Sequence, residues 1–293
     1  MAAVTTEDRF AAAPAPASAT RAGRPGGNRA WTMIRVNAWR WAVFLVAGVF
    51  FLLPLAASFE FSLHDPHGGY SFASYRQFAK MPGFGSALWL SAKLALMAVG
   101  IMLVLLVPTM TLVHLRFPWL RRVIETITVL PLVIPPIVLV VGFLGAFSSK
   151  GPSWLLSSSY GLGFEYVILA LPFAYRSLDA GMSAIDLKTL VEASRSLGGG
   201  WATELFRVVL PNLRTAVLGA AVMTVALVLG EFAMASVLLW VTFPVWVVSV
   251  AQTQAGVSVA VSMMSLLLTW ILLMLLITLG SRRGRQANIL GGF

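Results

Sequence analysis

Few residues in this chain could do chemistry, and their spacing narrows what that chemistry is. Three histidines, His64, His67 and His114, are separated by a long apolar run, and cysteine is absent. Disulfides and thiolate metal sites are therefore excluded, and no metal-binding cluster is visible. No nucleophile stands beside a base and no two carboxylates pair, so the sequence offers no catalytic residue. It offers instead acids placed where they are costly. Glu231, in Gly230-Glu231-Phe232, lies near the end of an apolar run. A charged group in lipid costs roughly 3 kcal/mol on insertion scales, so this carboxylate must face a cavity or a partner. Lys93 sits early in another apolar run and can extend its ammonium outward. Glu125 and Glu165 fall at the ends of such runs, where a solvated carboxylate is expected.

The other polar concentration is the segment 183–211. Asp186 is placed to cap a helix in which Leu187, Leu190, Val191 and Ser194 recur at helical spacing. Gly198-Gly199-Gly200 should stop that helix. A second amphipathic piece, Trp201 to Val209, then runs to Leu210-Pro211. The pattern predicts a short helix, a sharp glycine turn and a second helix.

The elements that must position these residues follow from composition. The chain has 293 residues, 58% hydrophobic and only 11% charged, with mean hydropathy +0.85. Soluble domains carry about 25% charged residues, so lipid must solvate most of this chain. The formal charge of +10 then marks the cytoplasmic ends of membrane helices rather than a nucleic-acid partner. A span needs about 20 apolar residues. Residues 41–59, 86–113, 123–147, 163–182, 213–235 and 258–280 qualify, which predicts an all-α bundle of about six spans.

Basic residues set the orientation. Arg21, Arg24, Arg29, Arg35 and Arg40 precede the first span, and Arg116, Arg121 and Arg122 follow the second. Arg176, Lys188, Arg195, Arg207 and Arg214 follow the fourth, and Arg282, Arg283 and Arg285 close the chain. The alternate loops are poor in positive charge, so both termini and the segment 183–211 are expected in the cytoplasm. Residues 1–38 read as a disordered cytoplasmic tail, too poor in large apolar side chains to offset ordering entropy. Residues 39–281 read as the membrane domain and 282–293 as a cytoplasmic tail.

Two stretches interrupt the pattern. Pro131, Pro135 and Pro136 lie within the third span, which predicts a kinked helix. That kink either lines a translocation path or serves packing alone. Residues 236–257 hold no charge but carry Phe243-Pro244 and Gln252-Thr253-Gln254, so they could be re-entrant or interfacial. Trp31, Trp39 and Trp41 read as an interfacial belt.

The run Glu192-Ala193-Ser194, then Gly198, then Val208-Val209-Leu210-Pro211 resembles the EAA loop of binding-protein-dependent ABC importer permeases. In that family the loop reads Glu-Ala-Ala, a glycine four positions on, and a closing Ile-x-Leu-Pro. Ser194 stands here for alanine, Val208 for isoleucine, and Gly199 for the commoner alanine. Further phrases over residues 88–280 are similar to the subgroup serving spermidine and putrescine. They include Leu130-Pro131-Leu132-Val133-Ile134-Pro135, Leu171-Pro172-Phe173-Ala174-Tyr175-Arg176 and Leu229-Gly230-Glu231-Phe232. Permeases for iron, sulfate, thiamine and phosphonates share many of them.

The resemblance implies the type I importer fold, a multi-pass protein of the bacterial inner membrane and half of a solute path. It implies that Glu192, Ala193, Ser194, Arg195, Leu197, Gly198 and Gly199 meet a cytoplasmic ATPase, with Leu210 and Pro211 ending the loop. Two ATPase copies, a second permease subunit (heterodimer favoured over homodimer) and an extracytoplasmic solute-binding protein would complete the assembly. The sequence holds no Walker A lysine motif. ATP and Mg therefore belong to the ATPase and no cofactor to this chain. Glu231 is either a path residue that draws a cationic solute or a gate or packing residue; relatives that carry anions share it, which favours the latter. An ion-gradient transporter would need an internal repeat with paired broken helices, and none is visible.

Overall fold

The computed structural model describes residues 28–64, 68–148 and 151–290, and every described regular element is a helix. The chain divides into two compact units, Met1–Ala56 and Ala57–Phe293. In its described part the first unit is helix alone, the leading portion of α1 (Asn28–Leu63). Its side chains over residues 39–55 are exposed or half-buried, Trp39 and Trp41 among them. The stretch Trp39–Leu63 has mean hydropathy 2.4, the composition of a helix solvated by lipid. Residues 1–27 of the expected tail, like the extreme C-terminal residues 291–293, lie outside the described residues. From Asn28 the described backbone is helical. Once a helix is nucleated each further residue is added at small cost, and no glycine or proline stands between 28 and 38 to stop it.

The second unit is built round α3 (Phe84–Arg116) and α7 (Ser159–Ser183). The short α2 (Ala73–Gln77) precedes α3, and between α3 and α7 come α4 (Leu120–Val133), α5 (Pro136–Phe147) and α6 (Ser153–Ser157). After α7 follow α8 (Leu187–Ser196), α9 (Trp201–Asn212), α10 (Arg214–Gly230) and α11 (Ala233–Val237). Then come α12 (Phe243–Ala251) and α13 (Ala255–Leu290).

On α7 the positions Leu162, Tyr166, Ala170, Ala174, Leu178 and Met182 are all buried, a stripe at spacing four that faces α3 and α10. Small residues let α7 and α10 approach closely. A Cβ on Gly181 would collide with that of Ala216, and one on Gly219 would lie 2.8 Å from Ser177 Oγ. Ser177 Oγ donates to the Ala216 carbonyl at 3.0 Å. Close packing plus one polar bond is how helices associate where lipid supplies no hydrophobic drive.

The third expected span is not a single kinked helix. Helices α4 and α5 meet at 103° across Ile134-Pro135. Proline disfavours the helical region for the residue before it, and Ile134 is extended at φ −94°, ψ 119°. Pro135 and Pro136 together withdraw two donors, and Pro136 starts the new helix, where a donor is not needed. Pro131 is tolerated inside α4.

The fourth expected span lies within α7, of 25 residues, about 37 Å at 1.5 Å per residue. The fifth stops at Gly230, short of the expected 235, and Glu231 is extended at φ −80°, ψ 122°. Its preceding helices, α9 and α10, are bent by 77°.

Within 236–257, Leu239 takes a left-handed φ of 60° and α12 follows. Nine residues reach about 13 Å, far short of the roughly 30 Å hydrocarbon layer. This helix packs on α3 and α13 through Trp246, Val250, Ala87, Val257 and Val261. Phe243 N–H donates to Ser91 Oγ at 2.8 Å, Trp246 Nε1 to the Pro82 carbonyl at 3.0 Å, and Ser258 Oγ to the Val247 carbonyl at 2.9 Å. These bonds pin one face of a helix whose other face and C-terminal end, Val248, Ser249 and residues 251–254, are exposed. The last helix runs on to Leu290, so the boundary expected at 281/282 has no counterpart in the backbone.

Candidate functional site

The segment 183–211 folds as two helical arms joined by a glycine elbow. Asp186 caps α8: its carboxylate accepts from Thr189 N–H at 3.2 Å and from the Thr189 hydroxyl at 2.7 Å. These bonds favour the charged form and hold its carboxyl below the usual range. Leu187 and Val191 are buried in the main core while Glu192 and Ala193 are exposed, the division expected of an amphipathic helix. Lys188 reaches Glu192 at 3.9 Å, an exposed pair of little consequence.

The helix ends in a two-bond glycine cap. Gly199 N–H donates to the Ser194 carbonyl and Gly198 N–H to that of Arg195, each at 2.9 Å, with Gly198 at φ +82°. A Cβ on residue 199 would collide with Ser194 Oγ and lie 2.8 Å from the Ser194 carbonyl oxygen. Two departures from the family pattern, Ser194 and Gly199, thus belong together in space.

The second arm, α9, widens into π-helical turns over Glu204–Val209. Such widening is common at functional sites. Pro211 has no N–H to continue the ladder, and Asn212 Nδ2 donates to the Val208 carbonyl at 2.7 Å. Leu205 and Val209 are buried beside Val191, whereas Leu197 and Phe206 are exposed.

Across the elbow, Arg195 holds Glu204 with both ends of its fork: Nε to Oε1 at 2.7 Å and Nη2 to Oε2 at 3.1 Å. The Glu204 side chain is only 3% exposed, that of Arg195 44%. The guanidinium keeps the Glu204 carboxyl below the usual carboxylate range despite burial. The family resemblance puts Arg195 among the residues that meet the ATPase and gives Glu204 no role. The signal was opposite charges on either side of the glycine run, but a separation of nine residues says nothing of distance until the turn is known.

A second cluster missed from the sequence centres on Asp179 of α7. Arg121 Nη2 donates to its Oδ2 at 2.7 Å and to Ser183 Oγ at 3.0 Å. His114 Nε2 lies 3.4 Å from Oδ1, while its Nδ1 is 2.9 Å from the Met110 carbonyl. One carboxylate thereby ties together the end of α3, the start of α4 and α7.

Glu231 fills the break between α10 and α11 and is 7% exposed. Its carboxylate accepts from Met234 N–H at 3.0 and 3.1 Å and from Ala235 N–H at 3.4 Å. Tyr166 Oη donates to it at 3.5 Å. These bonds satisfy the free donors at the start of α11, which packs against α5 beyond the proline break. Pro131 and Pro136 are half-buried and Pro135 is exposed. Glu165 is not solvated: it is fully buried, and both carboxyl oxygens lack a hydrogen-bond partner among the described residues. Helix α7 starts at Ser159, before the expected 163, which draws Glu165 inside the packed bundle. Glu125 is exposed, and Lys93 Nζ stands 4.5 Å over the Tyr160 ring. Among the described residues no group of acids and histidines could hold a metal ion.

Residues 110–283, more than half of the chain, match the family model described as "Binding-protein-dependent transport system inner membrane component". The chain is 33% identical over 124 residues to a probable ABC transporter permease protein, y4fN, of Sinorhizobium fredii, covering 41% of this chain and 22% of that protein. It is 34% identical over 123 residues to the molybdenum transport system permease protein ModB of Azotobacter vinelandii, covering 39% of this chain and 54% of that one. With the sulfate transport system permease protein CysW of Escherichia coli K12 it shares 32% over 168 residues, 53% of this chain and 56% of the relative. The matched part therefore spans about half the length of these curated relatives, or less. Among solved structures, an amino acid ABC transporter crystallised with histidines is similar at TM-score 0.50 and 18% identity, covering 74% of this chain and 99% of that one. At that identity the likeness shows the fold.

Proposed function

Because the chain belongs to the family of inner-membrane components of binding-protein-dependent transport systems, we propose that it is a permease subunit of an ABC importer, supplying half of the path for a small solute. The observation that carries this reading is the elbow. Two short helices are anchored to the bundle through Leu187, Val191, Leu205 and Val209, and they leave the turn at residues 197–199 free to meet a partner. Glu192, Ala193, Ser194, Leu197, Gly198 and Gly199 dock on a cytoplasmic ATPase, and Leu210 and Pro211 return the chain to the membrane. When the ATPase pair closes on nucleotide, the elbow moves and tilts α7 and α10 as rigid bodies. The chain itself performs no hydrolysis; ATP and Mg belong to the ATPase.

In this reading residues 39–281 form about six spans with both ends in the cytoplasm, and 236–257 is a re-entrant helix on the path side of α3. The assembly contains two ATPase copies, a second permease subunit forming a heterodimer, and an extracytoplasmic solute-binding protein. Pro131, Pro135, Pro136 and Glu231 border the path. The bonds from Met234 and Ala235 to Glu231 support a gate or packing role for that acid over contact with solute.

The solute is a polyamine such as spermidine or putrescine, on the strength of the similar phrases round Pro131, Pro172 and Glu231. A second reading, an oxyanion, is favoured by the relatives named for molybdenum and sulfate. Identification of the ligand held by the cognate binding protein decides between them. The permease reading itself is tested in proteoliposomes. Uptake should require ATP on the elbow side and persist when ion gradients are collapsed. Cysteines placed at 192 and 197 should crosslink to the ATPase. Uptake that follows an ion gradient without ATP would overturn it.

A further inference from the structure

The structure assigns Arg195 to the inside of the elbow rather than its docking rim: we propose that the Arg195–Glu204 pair is the strut that sets the angle between α8 and α9. The inference rests on the reading that 183–211 meets an ATPase, but it concerns a different step, the passage of force through the elbow.

The two arms are linked covalently by residues 197–200, of which three are glycine. Glycine imposes no side-chain barrier, so the link by itself is a free hinge. The cap at Gly198 and Gly199 closes the end of α8, and among the described residues it makes no backbone bond to α9. What joins the arms is contact at two places. Away from the glycines, Leu187 and Val191 on α8 and Leu205 and Val209 on α9 all belong to the main core, and α8 touches the widened part of α9. Beside the glycines, Arg195 grips Glu204. One attachment would leave a hinge; two fix an angle.

The chemistry of the second attachment suits a strut. A bidentate guanidinium–carboxylate pair constrains orientation as well as distance, which a single ammonium contact does not. Glu204 is almost wholly buried, and among the described residues Arg195 is the hydrogen-bonding partner of both its oxygens, while the Arg116 charge acts on it without a hydrogen bond. Loss of Arg195 therefore strands a buried carboxylate, and the arm must move to hydrate it. The wider turns that begin at Glu204 turn this acid toward Arg195 while Leu205 and Val209 keep to the core.

The test uses the complete importer in proteoliposomes and reads solute delivered per ATP hydrolysed. In Glu204→Gln the ATPase should remain bound and hydrolyse within twofold of the wild-type rate, while solute per ATP falls about tenfold. Arg195→Lys keeps the charge but loses the fork, and should also fall, by threefold or more. The exchange Arg195→Glu with Glu204→Arg should restore solute per ATP to within threefold of wild type. An apolar pair, Arg195→Met with Glu204→Met, removes the stranded charge and gives a second chance of rescue should the exchange not fold. Amide exchange at residues 198–200 should quicken in Glu204→Gln, with α3 and α7 unchanged.

The proposal is overturned if Glu204→Gln couples as wild type does. It is equally overturned if Arg195→Gln lowers coupling while Glu204→Gln leaves it intact, the result expected of an arginine that touches the ATPase directly. Failure of the wild-type complex to couple uptake to ATP would instead remove the permease reading on which the strut rests.

Discussion

The helix break at Gly198 and the one at Pro135 achieve a sharp change of direction by opposite means. At Gly198 the chain uses a permissive residue: φ of +82° is open to glycine at no steric cost, but nothing in the residue itself selects that angle. Selection comes from elsewhere, from the two cap bonds and from Arg195 across the turn. At Pro135 the chain uses a restrictive residue. Pro135 at φ −58° and ψ 141° and the extended Ile134 are what the pyrrolidine ring imposes. Among the described residues no ion pair joins α4 to α5. A permissive break can be moved and must be braced. A restrictive one stays where it is put.

The largest effect is expected at Gly198 itself. Gly198→Val places a β-branched side chain in the left-handed region, at a cost of about 1–2 kcal/mol or more. Space is not the obstacle, since a Cβ there meets nothing within 4 Å. ATP-dependent uptake should fall more than tenfold, while Gly198→Asn, which tolerates that region, should stay within about twofold. Equal activity in both variants would show that the angle is not needed.

At the other break, Pro135→Ala combined with Pro136→Ala removes a penalty of roughly 3 kcal/mol per proline against continuing the helix. Spin labels near Leu120 and Phe147 should move apart as α4 and α5 straighten, with uptake reduced severalfold. Pro135→Ala alone should change little, since Pro136 still keeps residue 135 from the helical region.

A smaller effect is expected at Glu231, which braces the start of α11 as Arg195 braces the elbow. Glu231→Gln keeps a carbonyl oxygen to accept from Met234 and Ala235, so uptake should change by about twofold or less. Glu231→Leu leaves those donors unsatisfied at roughly 1–3 kcal/mol and should lower thermal stability visibly. A large loss in the glutamine variant would restore the path role.

The smallest effect separates the two breaks by pH. Glu204 has its carboxyl lowered by Arg195, so its contribution is complete above the ordinary glutamate pKa of about 4.3 and lost as pH falls below that value. Amide exchange at residues 198–200, corrected for its intrinsic pH dependence, should be level from pH 8 to 6 and rise only in acid. The Pro135 break has no titrating group and should not respond at all.

Much of the elbow was legible because its causes are local. Asp186 before an amphipathic run, a glycine triplet and Leu210-Pro211 each act within a turn of helix, so order along the chain is enough. The proline break was half legible: Pro131, Pro135 and Pro136 announced a disturbance, but a tandem proline that ends a helix and one that kinks it differ only in what packs round them. Glu165 was misplaced because a solvated end and a buried turn differ by the start of α7 at Ser159, a boundary that hydropathy leaves soft.

By itself the sequence determined that lipid surrounds most of this chain, that its regular structure is helical, and where glycine and proline interrupt the helices. These follow from composition and from forces that reach one or two turns. Only the tertiary structure decided that Arg195 closes on Glu204, that Asp179 gathers Arg121 and His114, and that Glu231 caps α11. Hydrogen bonds act over about 3 Å, and which distant residues come within that range is fixed by how the helices pack.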